Sequence, residues 1–454
     1  MSEHDVVVIG AGPAGEVCAG RLAAEGLDVV LVERDLVGGE CSFYACMPSK
    51  ALLRPVELLD EVARVPGAAE TVTRALDPKR VLARRDEVIH SLDDTAQLPW
   101  LEQRGIPLVR GQARLDGERQ VRVGGQLLSA RRAVVIATGS GAALPPIPGL
   151  RELSPWTNRE ATTAHAVPGR LAILGGGVVG CELAQAWSSL GAGVTIVEGL
   201  PRLISREEPF ASEQVADALR TRGVDVRCGV KASAAARDDD GTFSLSLQDG
   251  TTVHADELLV AVGRRPHTED LGLETVDLEP GATIAVDDAL RVPGRDWLFA
   301  IGDVNGRALL THAGKYQARI AADVIMNREV RATADGPGSP RVMFTEPQVA
   351  AVGHTLQSAL EAGIEARAID TPSSATAGAS FVGRNAPGTA RIVIDEQRRV
   401  MVGATFTGPE VAEWLQAASI AVVGAVPLDV LVHAIPAFPT RSEVWLALLS
   451  EFGH

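Results

Sequence analysis

The stretch that decides the fold of this chain is Asp5-Val-Val-Val-Ile-Gly10-Ala-Gly12-Pro-Ala-Gly15. The β-branched run before Gly10 predicts a fully buried strand of a parallel sheet. The glycines then open an alanine-rich helix to about Glu25, and a second buried strand, Val29–Val32, carries Glu33 at its tip. Strand, glycines, helix and acid in this order predict a βαβ unit that holds a dinucleotide. Its pyrophosphate would lie on the helix N-terminus and a ribose diol on Glu33.

The same pattern recurs later in the chain. A strand, Leu171–Leu174, leads into Gly175, Gly177 and Gly180, and Glu198 follows the strand Val194–Val197. The three glycines and the acid each lie 165 positions after their counterparts, which are Gly10, Gly12, Gly15 and Glu33. Repetition at every one of these positions predicts two dinucleotide-binding units in one chain.

Two cysteines follow the first unit closely. Cys41 and Cys46 come after a turn at Gly38 and Gly39 and before Pro48. The spacing allows about one helical turn between them, so the two sulfurs can meet in a small-ring disulfide. A strained, accessible disulfide acts as a redox group, whereas two unrelated buried thiols would be structural. Their position directly after a dinucleotide unit favours the redox interpretation.

The composition is that of a large globular protein. The 454 residues exceed what one core supports, so about three domains are expected. A net charge of −15 without a Lys/Arg-rich run disfavours nucleic acid and anionic membranes as partners. No apolar run is long enough to span a membrane. A first strand that starts at residue 5 leaves no room for a signal peptide, and five cysteines without framework spacing favour a cytoplasmic location.

The remaining sequence predicts further α/β structure. A polar helical stretch is expected over 77–103, short strands over 109–123 and a buried strand over 133–140. The Pro-rich segment 144–149 and the loop 334–340 are expected to be domain crossings. Three further cysteines fit core positions on helices or strands: Cys18, Cys181 and Cys228.

With these motifs the chain resembles the class I pyridine nucleotide-disulfide oxidoreductases, flavoproteins that include dihydrolipoamide dehydrogenase, glutathione reductase and mercuric reductase. The resemblance covers essentially the whole chain and rests on Gly10–Gly15, Cys41–Lys50, Ala137–Gly139, Gly175–Glu182, Gly263–Arg265, Gly302–Asp303 and Pro439–Glu443. It implies an α/β fold with two Rossmann-like dinucleotide-binding domains and a C-terminal α+β dimerisation domain. The implied ranges are 1–154 with 269–336 for the FAD-binding and central domain, 155–268 for the NAD(P)-binding domain and 337–454 for the dimerisation domain. It also implies a homodimer whose C-terminal domain completes the active site of the partner.

The resemblance further implies roles for individual residues. Cys46 is expected to lie next to the flavin, Cys41 to meet the electron acceptor, and Lys50 to pair with Glu182 beside the flavin. Lysine occupies only positions 50, 79, 231 and 315 of the 43 Lys and Arg positions, which supports a need for a compact ammonium at Lys50. The expected cofactor-binding residues are Gly10, Gly12, Gly15, Glu33, Gly39, Lys50, Thr138, Gly139, Gly175, Gly177, Gly180, Glu198, Gly263, Gly302, Asp303 and His312. His312 is also compatible with a helix-start histidine that has no chemical role, and no metal site is expected.

The C-terminal motif departs from the family. The family segment reads His-Pro-Thr-x-Ser-Glu, in which the imidazole handles the proton of the interchange thiol, whereas Phe438 stands here in place of that histidine. Glu443, the usual partner of the histidine and a member of the expected catalytic set, is then expected to pair with Arg441. His433 could supply a proton from another direction or be a surface histidine. No cysteine follows Cys228, so the C-terminal cysteine pair of mercuric reductases is missing as well.

The sequence therefore predicts an FAD-dependent, NAD(P)H-linked oxidoreductase with a redox-active Cys41–Cys46 pair. The leading hypothesis is reduction of an unusual disulfide or another thiol-reactive small-molecule acceptor. The alternatives are a quinone or mercuric-type metal-ion reductase and, in a different class, a flavin-bound redox sensor. Glu198 favours NADH because a carboxylate repels a 2′-phosphate, although Arg202 and Arg206 on the following loop could reverse this preference.

Overall fold

A computed structural model describes residues 2–452 of the chain. The chain forms two compact units, each assembled from three segments that are distant in sequence. The first unit contains the chain up to Pro48, Asp86–Ala143 and Arg264–Gly336. The second unit contains Ser49–Arg85, Leu144–Gly263 and the chain from Pro337 onward.

Strands and helices are numbered in chain order over the described residues. The strands are β1 (Ser2–Ile9), β2 (Val29–Glu33), β3 (Leu108–Arg110), β4 (Ala113–Leu115), β5 (Gln120–Val123), β6 (Gln126–Ile136), β7 (Ser140–Ala142), β8 (Arg170–Leu174), β9 (Gly193–Glu198), β10 (Asp225–Cys228), β11 (Ala232–Arg237), β12 (Phe243–Leu247), β13 (Thr252–Ala255), β14 (Glu257–Val260), β15 (Arg264–Pro266), β16 (Arg291–Val292), β17 (Arg295–Ala300), β18 (Arg341–Met343), β19 (Gln348–Gly353), β20 (Ala366–Pro372), β21 (Thr389–Asp395) and β22 (Val400–Gly408). The helices are α1 (Pro13–Ala24), α2 (Gly39–Phe43), α3 (Cys46–Arg64), α4 (Pro78–Val88), α5 (Leu98–Glu102), α6 (Asn158–Thr163), α7 (Val178–Ser189), α8 (Pro209–Thr221), α9 (Thr311–Ile325), α10 (Leu356–Glu361), α11 (Leu415–Val423), α12 (Leu428–Leu431) and α13 (Val444–Leu448).

The first unit is built on a sheet with the strand order β16-β17-β6-β1-β2-β3. Strand β1 lies between β2 and β6 and pairs with both in parallel. Its residues Val6–Ile9 are buried, because helices or other structure cover both faces of a parallel sheet. Helices α1 and α9 contact each other on one face and share a core built largely from small side chains. This packing brings the N-terminal turns of α1 and α9 into the same unit as the cysteine segment.

The second unit combines parallel and antiparallel sheets. Strands β10-β9-β8-β14 form a parallel sheet, and β11, β12 and β13 form a separate antiparallel one. Helix α7 packs on the parallel sheet and buries Trp187 completely. The C-terminal part contains the antiparallel sheet β18-β19-β22-β21-β20, on which α11 packs.

The predicted α/β class is confirmed, with two parallel-sheet units and a C-terminal region of mixed helices and strands. Helix α1 ends at Ala24, next to the predicted end at Glu25, because Gly26 has a positive φ of 84° that an α-helix cannot continue through. The three-domain boundaries stay a prediction. Over residues 2–452, no helix is both long and apolar enough to cross a membrane.

Two expectations from the sequence are wrong. The helical stretch predicted over 77–103 is broken into α4, two short 3₁₀ turns and α5, because His90, Ser91 and Leu92 all have positive φ angles. Cys228 was expected in the core and is only partly buried, since β10 is the edge strand of its sheet. Cys18 and Cys181 are fully buried, as predicted.

Candidate active site

The first glycine-rich turn is shaped for close backbone approach. Gly10 has a φ of 103°, and a Cβ added there would lie 2.4 Å from the carbonyl oxygen of Ala137. A Cβ on Gly15 would lie 1.8 Å from the carbonyl oxygen of Gly10, so neither position accepts a side chain. Gly12 is different, because no protein atom lies within 4 Å of its added Cβ. Gly12 caps α1 without any side-chain hydrogen bond, so the helix N-terminus faces open space that fits a pyrophosphate.

The acidic residue at the tip of β2 is fixed by two backbone amides. Glu33 is buried and accepts hydrogen bonds from the amide of Ala11 at 2.6 Å and from that of Asp35 at 2.8 Å. A carboxylate has about four acceptor positions, so a ribose diol can still bind to it. Glu33 and the open N-terminus of α1 together fit the adenosine diphosphate part of FAD.

The second unit reproduces this geometry at the predicted offset. Gly175 has a φ of 112° and approaches the carbonyl oxygen of Ala261, and no protein atom lies within 4 Å of a Cβ on Gly177. A Cβ on Gly180 would lie 2.0 Å from the carbonyl oxygen of Gly175. Glu198 accepts from the amides of Gly176 at 2.6 Å and Leu200 at 2.7 Å. These donors are the counterparts of those that bind Glu33, so the second unit fits a second dinucleotide.

The cysteine segment starts against the first glycine-rich turn. Gly39 has a φ of 58°, and a Cβ there would lie 2.8 Å from the Cα atom of Gly12. The backbone contact places α2, which carries Cys41, directly beside the N-terminus of α1. Gly39 is thus required for the position of Cys41, and its predicted role in cofactor binding stays a prediction.

The two cysteines lie on two helices rather than on one helical turn. Cys41 belongs to α2 and Cys46 begins α3, and both side chains are partly exposed thiols. The hydrogen bond between Cys41 and Cys46, with burial as the second cause, holds the pKa of the Cys41 thiol well above its ordinary range. The Thr311 hydroxyl lies 3.4 Å from the Cys46 sulfur and also bonds to Cys41. Thr311 was missed in the sequence because it lies 265 residues away from Cys46.

Lys50 and Glu182 meet in the second unit, as the resemblance implies. The Lys50 Nζ atom donates to the Glu182 carboxylate at 2.7 Å, and the Glu182 side chain is only 4% exposed. The second oxygen of Glu182 accepts from the amide of Phe344 at 2.9 Å, and the Lys50 ammonium stands 4.8 Å from the Phe344 ring centre. This buried carboxylate therefore has its charge compensated by one lysine and one amide.

A polar cluster in the first unit surrounds Asp303. The Ser140 hydroxyl donates to the Asp303 carboxylate at 2.5 Å, and Arg264 donates to the Ser140 hydroxyl at 2.7 Å and to its carbonyl at 2.6 Å. Thr138 donates to the carbonyl of His267 at 3.0 Å. Ser140 and Arg264 were not among the predicted site residues, although Arg264 lies in a stretch that carries the family resemblance and Ser140 directly follows another.

Several glycines at expected cofactor positions have backbone conformations that favour glycine. Gly139 and Gly302 have φ angles of 69° and 75°, and Gly263 has 153°. His312 is exposed and is the second residue of α9. Among residues 2–452, no group of three or more His, Cys, Asp or Glu side chains is arranged to hold a metal ion.

The C-terminal motif corrects one expectation. Glu443 accepts a hydrogen bond from the amide of Gly378 at 3.0 Å and does not pair with Arg441. Arg441 instead stacks on Trp414, 4.2 Å from the ring centre, and its ion pair is with Glu410 at 3.6 Å. Burial lowers the pKa of Arg441 to about 10. The guanidinium turns towards the aromatic ring because stacking stabilises it without full hydration.

Phe438 and His433 are both exposed in this unit. The Phe438 ring is 77% exposed. His433 follows α12 and is also exposed.

Two uncapped glycine-rich turns, two fixed acidic residues and a thiol pair define a redox enzyme that binds two dinucleotides. The chain belongs to the pyridine nucleotide-disulphide oxidoreductase family, whose model matches residues 4–318. The dimerisation domain of the same family matches residues 339–448. The protein is thus a flavin-dependent pyridine nucleotide-disulfide oxidoreductase that uses FAD and NAD(P)H.

Similar proteins differ in the acceptor that their names state. Dihydrolipoyl dehydrogenase of Haloferax volcanii is 32% identical over 451 residues, which cover 97% of this chain and 94% of the relative. Mercuric reductase of Shigella flexneri is 32% identical over 452 residues, which cover 96% of this chain and 79% of the relative. The solved Cu(II) complex of the HOCl-induced flavoprotein disulfide reductase RclA from Escherichia coli superposes with a TM-score of 0.87 at 26% identity and covers 100% of both chains.

Proposed function

We propose that this chain is an NADH-linked, FAD-dependent reductase whose Cys41–Cys46 dithiol reduces a thiol-reactive acceptor, with a soft metal ion favoured over a simple disulfide. The observation that carries the proposal is Phe438, an exposed phenyl ring in the segment where the family has its histidine. A phenyl ring neither accepts nor donates a proton. Reduction of a disulfide releases a thiolate that needs a proton, and positioned acid-base help is worth about 10²–10⁴-fold.

A soft metal ion avoids this requirement. Thiolates bind such ions directly, and no thiol leaving group has to be protonated. In the proposed step, the protons of Cys41 and Cys46 leave to solvent and the two thiolates bind Cu(II). The sulfurs then join as a disulfide, and the two released electrons reduce two Cu(II) ions to Cu(I). Bound FAD would supply the electrons from NADH that restore the dithiol.

The relatives support a metal ion as acceptor. Mercuric reductases are among the most similar proteins, and one superposed relative was solved as a Cu(II) complex. Those names describe the relatives. For this chain they add to the argument from Phe438, which concerns the proton and is independent of them.

We assign the other predicted residues within this proposal. Cys46 would lie next to the flavin and Cys41 would meet the acceptor. Lys50 and Glu182 would stand near the flavin, Asp303 near its ribityl-pyrophosphate part, and a second copy of the chain would complete the site. Three structural domains with the boundaries given above, and a cytoplasmic location, belong to the same proposal.

The preference for NADH rests on the loop after β9. Glu198 presents a fixed carboxylate where a 2′-phosphate would lie, and like charges at this distance repel. Arg202 could have reversed the preference, but its guanidinium donates to the carbonyls of Ser205 and Glu207 and to the Ser212 hydroxyl. These hydrogen bonds hold the Arg202 guanidinium in place, so that it is not available to bind a 2′-phosphate. Arg206 is exposed, and its removal is a second check on cofactor choice.

The test compares acceptors in the flavin-loaded enzyme. NADH oxidation would be measured with Cu(II), Hg(II), a quinone, lipoamide and glutathione disulfide, in wild type and Phe438→His. We expect wild type to favour the metal ions, and the histidine to raise disulfide turnover about tenfold or more while changing Cu(II) turnover little. Leu360→His is the matched control, since it adds an imidazole at an exposed apolar position of α10.

Three results would contradict the proposal. Wild-type turnover of lipoamide or glutathione disulfide at about 10–10³ per second would show that the missing histidine has no consequence. A single reduction by NADH, without turnover on any acceptor, would favour the redox-sensor alternative. Faster turnover with the quinone than with metal ions would move the assignment to a quinone reductase.

A further inference from the structure

A short 3₁₀ turn, Gly302–Asn305, follows strand β17 and carries Asp303. This turn packs against the first turn of α1, since a Cβ on Gly302 would lie 3.4 Å from the Cβ atom of Ala14. A Cβ on Gly314 of α9 would lie 3.3 Å from the same Ala14 atom and 3.4 Å from the Cα atom of Gly302. The turn therefore lies at the end of α1 that fits the pyrophosphate of FAD.

The backbone of this turn is bound by a side chain of α9. Gln317 lies three residues after Gly314, so the two residues share one face of the helix. The amide of Gly302 donates to the Gln317 side-chain oxygen at 2.7 Å. The Asn305 side-chain amide donates to the same oxygen at 2.9 Å and to the carbonyl of Ala300 at 3.0 Å. The first and last residues of the turn thus share one acceptor.

The orientation of the Gln317 amide is fixed by Asp335, which lies in the loop 334–340. The Gln317 side-chain nitrogen donates to the Asp335 carboxylate at 2.9 Å. An ionised carboxylate only accepts hydrogen bonds, so the glutamine nitrogen has to face Asp335 and its oxygen has to face the turn. Arg307 supplies the compensating positive charge, because its guanidinium binds the same carboxylate at 2.9 Å and 3.0 Å.

These polar side chains are shielded from water. Gln317 is fully buried, Asp335 is 1% exposed and Asn305 is 6% exposed. Removal of the Gln317 side chain would leave the Gly302 amide without its partner and would take one donor from Asp335. An unpaired buried polar group is costly, so the turn would shift to find other partners.

The Asp303 side chain has different partners. Its carboxylate accepts from the Ser140 hydroxyl at 2.5 Å, and the Nε atom of Arg264 lies 3.5 Å away. Gln317 binds the backbone one residue earlier, at Gly302. Gln317 therefore acts on Asp303 through the backbone of the turn.

We propose that Gln317, oriented by Asp335, positions the Gly302–Asn305 turn for FAD, which rests on the proposed role of Asp303 at this cofactor. Gln317 is a positioning residue, because it fixes the turn before FAD arrives. A turn that is already ordered loses less conformational entropy when the ligand binds, so the affinity for FAD is higher.

The experiment measures FAD affinity in protein from which the flavin has been removed. FAD is titrated into the apoprotein, and binding is followed by flavin fluorescence. We expect Gln317→Leu to weaken FAD binding about ten- to a hundredfold, because it removes the hydrogen bonds to the turn and to Asp335. Gln317→Glu keeps an acceptor for the turn but places a second carboxylate against Asp335, so it should weaken FAD binding as well.

A paired exchange separates positioning from packing. Asp335→Asn alone removes the negative charge that Arg307 binds and should weaken FAD binding several-fold. In the double variant Gln317→Glu/Asp335→Asn, the new amide can donate to the new carboxylate, so the hydrogen bond forms in the reverse direction. We expect the double variant to bind FAD at least about threefold more tightly than Gln317→Glu alone. Filling of the core alone would give no such recovery.

Gln185→Leu is the matched control. Gln185 lies on α7 in the second unit, is 1% exposed and accepts the amide of Glu346 at 2.7 Å. Its substitution therefore also deletes a buried bond from a backbone amide to a glutamine. We expect a lower melting temperature of the apoprotein and an unchanged dissociation constant for FAD. Circular dichroism checks that each apoprotein is folded at the temperature of the titration.

Three outcomes would overturn the proposal. The first is a folded Gln317→Leu or Gln317→Glu protein with the FAD affinity of wild type. The second is a double variant that binds FAD no better than Gln317→Glu. The third is equal weakening in Gln185→Leu, which would show a general effect of stability. If Gln317→Leu does not fold, the Gln317→Glu and double variants still decide. Unchanged FAD affinity in Asp303→Asn would instead contradict the proposed function, so the two failures are distinguishable.

Discussion

Environment separates four of the five cysteines of this chain into two kinds. Cys18 and Cys181 are fully buried on α1 and α7, and burial raises the pKa of Cys18 to about 12. Burial also raises the pKa of Cys181, so neither thiol ionises at neutral pH. Cys41 and Cys46 are partly exposed free thiols, and they form hydrogen bonds with each other and with Thr311. Accessibility and a polar contact, rather than residue type, select the reactive pair.

The assignment of roles within the pair predicts two distinct spectra. An ionised Cys46 next to oxidised FAD should give a long-wavelength charge-transfer band. In Cys41→Ser the sulfur of Cys46 has no partner with which to form a disulfide, and it keeps its contact with Thr311. We expect this variant to show the band at neutral pH without added reductant, and Cys46→Ser to lack it after NADH reduction. Absorption spectra of the two FAD-loaded variants check this, with Cys228→Ser as a control that should resemble wild type. A plain oxidised-flavin spectrum for Cys41→Ser would contradict the assignment.

Single residues were predictable where a local motif or the family resemblance singled them out. Gly39 follows from the Gly-Gly turn, and Lys50 with Glu182 follows from the resemblance, although 132 residues separate them. Thr311 could not be found in this way, because its contact with Cys46 arises from the packing of α9. The expected Arg441–Glu443 pair failed for a similar reason. Arg441 stacks on Trp414 and Glu443 accepts from the amide of Gly378, and both partners are distant in sequence.

At the scale of elements, the repeated βαβ unit is the most reliable feature. Positions 165 residues apart share their backbone conformation, since Gly10 and Gly175 have φ angles of 103° and 112°. The hydrogen bonds repeat as well: Glu33 and Glu198 each accept one amide from the glycine-rich turn and one from two residues downstream. Sequence repetition predicted this because the turn geometry depends on glycines that the sequence displays.

The second acidic residue predicts the choice of nicotinamide cofactor. Glu198 is fixed by two amides. An acid at this strand tip of a dinucleotide-binding unit would place a negative charge next to the extra phosphate of NADPH. We expect kcat/KM for NADH to exceed that for NADPH by about tenfold or more, and Glu198→Gln to reduce this ratio several-fold because it keeps the shape and removes the charge. Glu213→Gln, at an exposed position of α8, is the matched control. A preference of the wild type for NADPH would contradict the prediction.

The elements that sequence did not predict lack a regular pattern. The segment 77–103 is polar, and no apolar stripe fixes where its helices end. The turn at His90–Leu92 is set by three residues with positive φ, which none of these residue types signals. The cysteine segment was predicted as one helical turn and forms the end of α2 and the start of α3, because the backbone leaves helical geometry at Tyr44. Local propensity therefore predicted that both regions are helical, but it did not predict the residues at which their helices are interrupted.

At the scale of the molecule, the exposed apolar surface is concentrated near the C-terminus. Among the large apolar side chains of residues 2–452 that are more than half exposed, Leu200 is the one exception to this distribution. The others are Phe381, Ile420, Val423, Val430, Ile435, Phe438 and Leu446. Soluble proteins rarely leave so many large apolar side chains in water unless another surface covers them. All seven lie in or beside the matched dimerisation domain, which predicts that a second copy of the chain covers them.

Ile435 provides the sharpest test of this interface, because its side chain is 92% exposed and stands three residues before Phe438. An aspartate there removes no contact within the subunit, so its effect on folding should be small. Buried in an interface, an unpaired carboxylate costs several kcal/mol, which is enough to shift a dimer strongly towards monomer at micromolar concentration. We expect sedimentation equilibrium to show a dimer for wild type and a mostly monomeric Ile435→Asp. Leu360→Asp, an exposed apolar residue outside this set, should stay dimeric. A second measurement concerns activity. Because a second copy of the chain is expected to complete the active site, turnover per flavin in Ile435→Asp should fall on dilution while the FAD content stays unchanged. A monomeric wild type, or a monomeric Ile435→Asp with full turnover, would show that the site is complete within one chain.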